Sequence, residues 1–162
     1  MPETCAVLYW GTIVVSRGAM SLREGGGGGE EAGASGEGGG ETPAGRRLLM
    51  IEDDVALATM YRRRLEHDGH SVEWASTARS GLDLARAQDY DLVFLDIGLP
   101  DRDGLDVLEA LRRESRATNV VVLTNFSDVH ARARSEQLGA RAYVVKADVT
   151  PAWLAQQVRE WI

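Results

Sequence analysis

Short apolar runs alternate with amphipathic stretches from residue 46 to the end of the chain. The runs are Leu48–Ile51, Ser71–Ala75, Leu92–Leu95, Val120–Leu123 and Ala142–Val145. Three of them are continuously apolar, which is typical of parallel strands covered on both faces. Between the runs, apolar residues recur at helical spacing, as in the stretch from Ala78 to Ala85. This alternation predicts repeated βα units built around a parallel sheet.

The last helix has clear start signals. Thr150 is placed to cap it and Pro151 occupies its first position. Its apolar stripe is Leu154, Val158, Trp161 and Ile162. Five strands and five helices predict a doubly wound α/β fold, and the sequence stops where the fifth helix ends. We therefore expect no output domain within this chain.

The residues before Arg46 have a different composition. Thirteen of the eighteen glycines lie there, and residues 24–45 form a low-complexity Gly/Glu segment. Such sequence buries little apolar surface. We predict a flexible extension over residues 1–45 and one folded domain over residues 46–162.

Charge and hydropathy exclude several classes of protein. The net charge is −7. From Arg46 onward the sequence has nineteen acidic and sixteen basic residues, and the basic residues form no stripe. Direct nucleic-acid binding is therefore not expected. The apolar run Cys5–Val15 is too short to span a bilayer, and Cys5 is the single cysteine. We expect a cytoplasmic protein with no membrane association.

Acidic residues follow two of the predicted strands. The first strand is followed by Glu52, Asp53 and Asp54, and the third by Asp96. The carboxyl ends of parallel strands share one edge of the sheet, where ligands bind. Two carboxylates about 5 Å apart repel by about 3 kcal/mol at an effective dielectric constant near 20. A hard cation such as Mg²⁺ would offset this repulsion, although Asp53 or Asp54 could instead cap the next helix.

Asp96 is the candidate nucleophile. It leaves a buried strand, and Gly98, Pro100 and Gly104 after it shape a loop that can approach a metal closely. A carboxylate beside Mg²⁺ can attack phosphorus and form an acyl phosphate.

Two further residues complete the candidate site. Lys146 follows the fifth strand and is the only lysine in the sequence. A compact ammonium differs from a guanidinium where one group must contact both carboxylate and phosphate. Thr124 follows the fourth strand, where its hydroxyl can donate to a phosphoryl oxygen. Tyr143, taken alone, is more typical of a core residue.

Together these residues resemble the receiver domain of bacterial response regulators in two-component systems, which has the chemotaxis-regulator fold. The strongest motif is the segment from Leu95 to Gly104, with Asp96, a Pro four residues later and a Gly eight residues later. The resemblance covers residues 46–162. It implies a flavodoxin-like five-stranded sheet in the order 2-1-3-4-5.

The resemblance also implies roles for residues. Asp96 would accept a phosphoryl group from a histidine kinase or a histidine phosphotransfer protein. Asp53 or Asp54, Asp96 and the carbonyl of Gly98 would hold Mg²⁺, with the register among Glu52, Asp53 and Asp54 left open. Thr124 and Tyr143 would form the switch, and Lys146 would contact the phosphoryl group. The chain would be a phosphoryl acceptor rather than an enzyme, a monomer or weak dimer that signals to a downstream protein by contact.

Three residues depart from the family pattern. Ala147 replaces the usual proline after Lys146, so the cis or trans state of that bond stays open. Asn125 is larger than the usual residue after Thr124, and Phe126 could hinder the access of water to the site.

Two other functions compete with this interpretation. One is a Mg²⁺-dependent phosphatase or phosphotransferase that uses Asp96 on small substrates, although phosphatases of the haloacid-dehalogenase type carry their nucleophile after the first strand. The other is a binding module that has lost phosphorylation. Turnover of a phosphate ester would favour the first, and absence of Mg²⁺ affinity the second.

Overall fold

The computed structural model describes residues 45–114, 118–125 and 127–162, together with two short strands near the amino terminus. These strands, Val7–Tyr9 and Thr12–Val14, pair antiparallel, and the sequence pattern did not predict them. The rest of the extension up to residue 44 lies outside the described residues, as does Phe126. The flexibility of the extension and the domain boundary at residue 46 stay predictions.

Five parallel strands form the central sheet in the order β2–β1–β3–β4–β5. Their bounds are β1 Arg47–Ile51, β2 Ser71–Ala75, β3 Leu92–Asp96, β4 Asn119–Thr124 and β5 Ala142–Val145. The predicted order 2-1-3-4-5 is confirmed, and the predicted runs agree with the strands to within a residue at either end.

Five helices cover the sheet on its two faces, which confirms the doubly wound fold. Their bounds are α1 Val55–His67, α2 Ala78–Ala87, α3 Gly104–Glu114, α4 Val129–Gln137 and α5 Pro151–Trp161. Helices α1 and α5 share one core cluster, and α2, α3 and α4 pack against the other. Of the helices in the described part of the chain, none is long and apolar enough to cross a membrane.

Alternate side chains of each inner strand pack into the core clusters on opposite faces of the sheet. Leu92 and Phe94 of β3 point toward α1 and α5, whereas Val93 and Leu95 point toward α2 and α3. All four are fully buried. Each such side chain contributes about 1.5–3 kcal/mol of hydrophobic stabilisation, and the two-sided burial explains why the runs have no polar alternation.

The last helix completes one of these cores. Trp161 is fully buried and meets Phe94 edge-on, with ring centroids 6.0 Å apart. Trp153 lies off the main stripe and packs edge-on against Trp161. Ile162, which the stripe placed on the buried face, is exposed because it follows the last helical residue.

Helix caps fix the loops at the carboxyl edge of the sheet. Strand β1 ends at Ile51 and α1 begins at Val55, so a segment of only three residues joins them. Asp54 caps α1 by accepting from the backbone N–H groups of Ala56 and Leu57. Thr150 caps α5 in the predicted way. The short connection after β1 holds its acids directly above the sheet.

Candidate functional site

A cleft of about 500 Å³ lies at the carboxyl edge of the sheet, above β1, β3 and β4. All three residues of the predicted acid segment line it, together with the last residues of β3 and β4. Its lining comprises Glu52, Asp53, Asp54, Asp96, Ile97, Gly98, Thr124, Asn125, Asp128, Ala131 and Tyr143. The structure therefore brings most of the predicted site residues together in one place.

Three carboxylates meet in this cleft. Glu52, Asp53 and Asp96 each offer one oxygen, and these oxygens lie within 4.8 Å of one another. Glu52 is 1% exposed and Asp96 is 4% exposed, whereas Asp53 is exposed. Asp54 is outside this group because its carboxylate is bound to the start of α1. In this structure Glu52 and Asp53 are therefore the two acids of the segment that approach Asp96, and Asp54 caps α1.

Lys146 bridges two of the three acids. Its Nζ lies 2.6 Å from Glu52 Oε2 and 2.8 Å from Asp96 Oδ2, and the side chain is almost completely buried. Burial raises the pKa of Glu52, although the hydrogen bond from Lys146 opposes that rise. Burial also disfavours the charged form of Lys146, but its hydrogen bonds to Asp96 and Glu52 outweigh this and raise its pKa. The cleft thus holds one ammonium and three carboxylates, which leaves excess negative charge when all are ionised.

The loop after β3 holds Asp96 in a fixed orientation. Asp96 is the last residue of β3, and its Oδ1 accepts from the backbone N–H of Gly98 at 3.0 Å. A Cβ on Gly104 would lie 2.3 Å from Ile97 Cα and 2.5 Å from the Asp96 carbonyl oxygen. Only glycine fits there, because the start of α3 packs directly on this loop. The spacing of the Asp-to-Gly motif therefore has a steric cause.

Thr124 and Tyr143 line the side of the cleft near β4 and β5. Thr124 ends β4 and is buried, and Tyr143 is also buried. Tyr143 is opposite Val122 in the sheet, so it shares a face with Thr124 two residues further along β4. The guanidinium of Arg132 lies over the Tyr143 ring, 5.3 Å from its centroid. Helix α4 thus contacts the predicted switch residue.

The departures from the family pattern have visible consequences. No cis peptide bond occurs in the residues that the structure describes, so the Lys146–Ala147 bond is trans. A short 3₁₀ turn, Lys146–Asp148, follows β5. Asn125 lies at the rim of the cleft.

Two contacts of the site were not predicted. Asp101, in the loop after β3, accepts from the backbone N–H groups of Ala78 at 2.8 Å and Arg79 at 3.0 Å, so it caps α2 from another loop. The indole N–H of Trp74 donates to the Glu52 carbonyl at 2.8 Å. The Asp at 101 gave a weak turn signal, but nothing in the sequence indicates either partner.

Comparison with known proteins agrees with this geometry. Residues 48–159 match the family model described as the response regulator receiver domain. The chain is 40% identical over 100 residues to the transcriptional activator protein IrlR of Burkholderia pseudomallei, covering 62% of this chain and 43% of IrlR. It is 36% identical over 100 residues to the cell cycle transcriptional regulator CtrA of Caulobacter vibrioides, with the same coverage of 62% and 43%. The chain therefore spans less than half the length of these curated relatives.

Solved structures show the same fold. A CheY-like receiver domain protein from Methanospirillum hungatei matches with a TM-score of 0.69 and 30% identity, covering 72% of this chain and 93% of that one. The chemotaxis protein CheY4 of Vibrio cholerae matches with a TM-score of 0.68 and 23% identity, covering 74% and 100%.

A doubly wound sheet with an acidic cleft and a buried lysine at its carboxyl edge is the fold and site of a receiver domain. The chain belongs to the response regulator receiver family of two-component signalling, and residues 48–159 are its receiver domain.

Proposed function

We propose that Asp96 is the phosphoacceptor of this receiver domain. The observation that carries the proposal is the position of its carboxylate: buried, beside two other acids, and bound at one oxygen by Lys146 and at the other by Gly98. A carboxylate held by two donors on opposite oxygens has one orientation, which a reaction at phosphorus requires.

The acids fit a magnesium site. Mg²⁺ takes hard oxygen ligands and usually one or two carboxylates together with water and phosphate oxygens. We assign Asp53, Asp96 and the carbonyl of Gly98 as its ligands, with Glu52 beside them in place of Asp54. When bound, Mg²⁺ would neutralise charge on the acids and on the incoming phosphoryl oxygens.

The residues around Asp96 support the transfer itself. A carboxylate oxygen of Asp96 would form the new bond to phosphorus as the bond from phosphorus to a donor histidine nitrogen breaks. The imidazole nitrogen keeps that electron pair and takes up a proton. Lys146, after β5, and Thr124, at the end of β4, would donate hydrogen bonds to the phosphoryl oxygens.

The signal would leave the domain through α4, β5 and α5. A phosphoryl group adds a charge of about −1.5 to −2, which attracts the Lys146 ammonium and the Thr124 hydroxyl. Tyr143 lines the same cleft and contacts Arg132 of α4. A change at Thr124 would therefore reach the surface of α4 through Tyr143.

Partners follow from this chemistry. The phosphoryl donor would be a histidine kinase or a histidine phosphotransfer protein, and the signal would pass to a downstream protein by contact, in the cytoplasm. The relatives IrlR and CtrA are named as transcriptional regulators and extend well beyond the matched region.

The test compares two aspartates at the two ends of β3. We expect the full chain with Mg²⁺ and acetyl phosphate to gain one phosphoryl group by intact mass spectrometry. Asp96→Asn should gain none, because its amide is not a nucleophile. Asp91→Asn, the same chemical change just before β3, should be labelled like the wild type. Equal labelling of wild type and Asp96→Asn would refute the assignment.

A further inference from the structure

The peptide group between Glu52 and Asp53 is held from the neighbouring strand. Strand β1 pairs with β2 as far as Ile51 opposite Ala75. Beyond that point the Glu52 N–H still donates to the Ala75 carbonyl at 3.0 Å. The Glu52 carbonyl accepts from the Trp74 indole at 2.8 Å. A side chain of β2 thus continues the pairing by one step after the strand β1 has ended.

This hydrogen bond acts on both acids at once. A peptide bond is planar, so the Cα atoms of Glu52 and Asp53 lie in the same plane as the Glu52 carbonyl. Fixing that carbonyl fixes the plane from which both side chains project. The two acids that approach Asp96 therefore share one anchor, and the anchor is the indole N–H.

Trp74 is well suited to hold a fixed donor. The side chain is half-buried and packs against the core formed with α1 and α5. Indole nitrogen donates and does not accept, so its hydrogen bond has one direction. Phenylalanine would occupy much of the same space without the donor.

We propose that Trp74 is a positioning residue for the metal site. Its indole N–H orients the Glu52–Asp53 peptide, and the affinity of the acidic cleft for a divalent cation depends on that bond. The proposal rests on the proposed function, because it takes the cleft as the magnesium site. It concerns cation affinity and leaves the phosphoacceptor role to Asp96.

The test uses the full chain and Mg²⁺ alone. Trp74→Phe removes the donor and keeps an aromatic ring, and we expect its Kd for Mg²⁺ by calorimetry to rise about 3- to 10-fold, the loss typical of one hydrogen bond. Trp153→Phe is the matched control: Trp153 is also half-buried against the same core, but it lies on α5. Its Kd should stay within about twofold of the wild type, because its indole makes no hydrogen-bond contact with the acid segment.

A second measurement separates positioning from general damage to the fold. If Trp74 acts through cation affinity, saturating Mg²⁺ should restore the rate at which Trp74→Phe is labelled by acetyl phosphate. A loosened core would lower that rate at every Mg²⁺ concentration. The free energy of unfolding without Mg²⁺ is measured for both variants as the reference.

The wild type provides a test that needs no variant to fold. The sequence has four tryptophans, so its indole N–H signals can be resolved by NMR. Mg²⁺ should shift the Trp74 indole signal more than those of Trp153 and Trp161. An unmoved Trp74 signal under saturating Mg²⁺ would overturn the proposal.

The remaining outcomes also decide the matter. A Trp74→Phe affinity equal to the wild type, or an equal loss in Trp153→Phe, would refute positioning by Trp74. If the wild type binds no Mg²⁺, the magnesium site and the role of Trp74 both fail. If its Mg²⁺ affinity depends on Trp74 but Asp96 takes no phosphoryl group, the positioning role stands and the phosphoacceptor role fails.

Discussion

The amino and carboxyl edges of the central sheet both carry charged side chains, but the charges are paired differently at the two edges. At the amino edge, Asp91 accepts from the Arg47 N–H at 2.8 Å and pairs with Arg46 at 3.3 Å. The Arg46 side chain is 52% exposed and that of Asp91 is 33% exposed. At the carboxyl edge, Lys146 is the one described cation in contact with Glu52 and Asp96, and all three are buried.

The difference separates an exposed ion pair from a buried cluster with an excess of negative charge. Exposed pairs such as that of Arg46 are screened by water and contribute about 0–1 kcal/mol. Buried charges with an excess of one sign are unfavourable unless another cation joins them. The carboxyl edge therefore keeps an excess of negative charge that a divalent cation can offset, while the exposed pair at the amino edge gains nothing from a cation.

Removing the lysine tests this contrast with the largest expected effect. Lys146→Met leaves Glu52 and Asp96 buried without their counter-ion, and we expect the free energy of unfolding to fall by about 3 kcal/mol. Arg46→Met at the amino edge should lower it by no more than about 1 kcal/mol, because its pair is exposed. Urea unfolding at neutral pH in Mg²⁺-free buffer measures both.

The proposed difference between the two edges would be wrong if both variants lost the same free energy of unfolding. Equal losses would mean that the carboxyl edge is an ordinary ion-pair cluster. A smaller loss for Lys146→Met in the presence of Mg²⁺ would sharpen the contrast, because a second cation would then replace part of the missing charge.

The response to Mg²⁺ gives the next largest effect. At ten times its Kd, Mg²⁺ should raise the free energy of unfolding of the wild type by about 1.4 kcal/mol through preferential binding to the folded state. Asp53→Asn should lose most of this gain, because it removes a charged ligand. Its stability without Mg²⁺ should not fall, because the variant also removes repulsion from Glu52 and Asp96.

Asp91→Asn is the control for this experiment. The change is chemically the same but lies at the amino edge, so the gain from Mg²⁺ should match that of the wild type. Thermal unfolding with increasing Mg²⁺ measures all three proteins. A full gain in Asp53→Asn would exclude Asp53 from the site.

The fold was predictable because its determinants are local and repeated. Two-sided burial makes Leu92 to Leu95 continuously apolar, and the same cause acts on the other inner strands. Asp96 and Lys146 were also accessible to prediction, because a residue at the end of a parallel strand has only one edge of the sheet to occupy.

The register of the acid segment was not predictable for the opposite reason. Glu52, Asp53 and Asp54 are adjacent acids of similar chemistry, and their roles depend on where the pleat of β1 stops and α1 begins. Asp54 is taken up by capping, which leaves Glu52 to contact Lys146. The bonds from Trp74 and Asp101 join residues far apart in sequence, so no local pattern reports them.

Two lowered carboxyl pKa values provide the smallest and most local test of the contrast. At the carboxyl edge, backbone N–H groups of Ala78 and Arg79 lower the pKa of Asp101. At the amino edge, the His67 side chain and then Arg64 lower the pKa of Asp68. Both carboxylates therefore stabilise the fold above their ordinary pKa, and this contribution is lost as the pH falls through the lowered value.

Salt should distinguish these two causes. The Debye length falls from about 10 Å at 0.1 M to about 3 Å at 1 M, which screens exposed side-chain charges. Titration followed by ¹³C NMR of the carboxyl groups should show the pKa of Asp68 rising in 1 M NaCl, while that of Asp101 moves less, since short backbone hydrogen bonds hold it. If Asp101 moved as far as Asp68, its carboxylate would be held by diffuse charge, and the loop after β3 would lack the fixed link to α2 seen here.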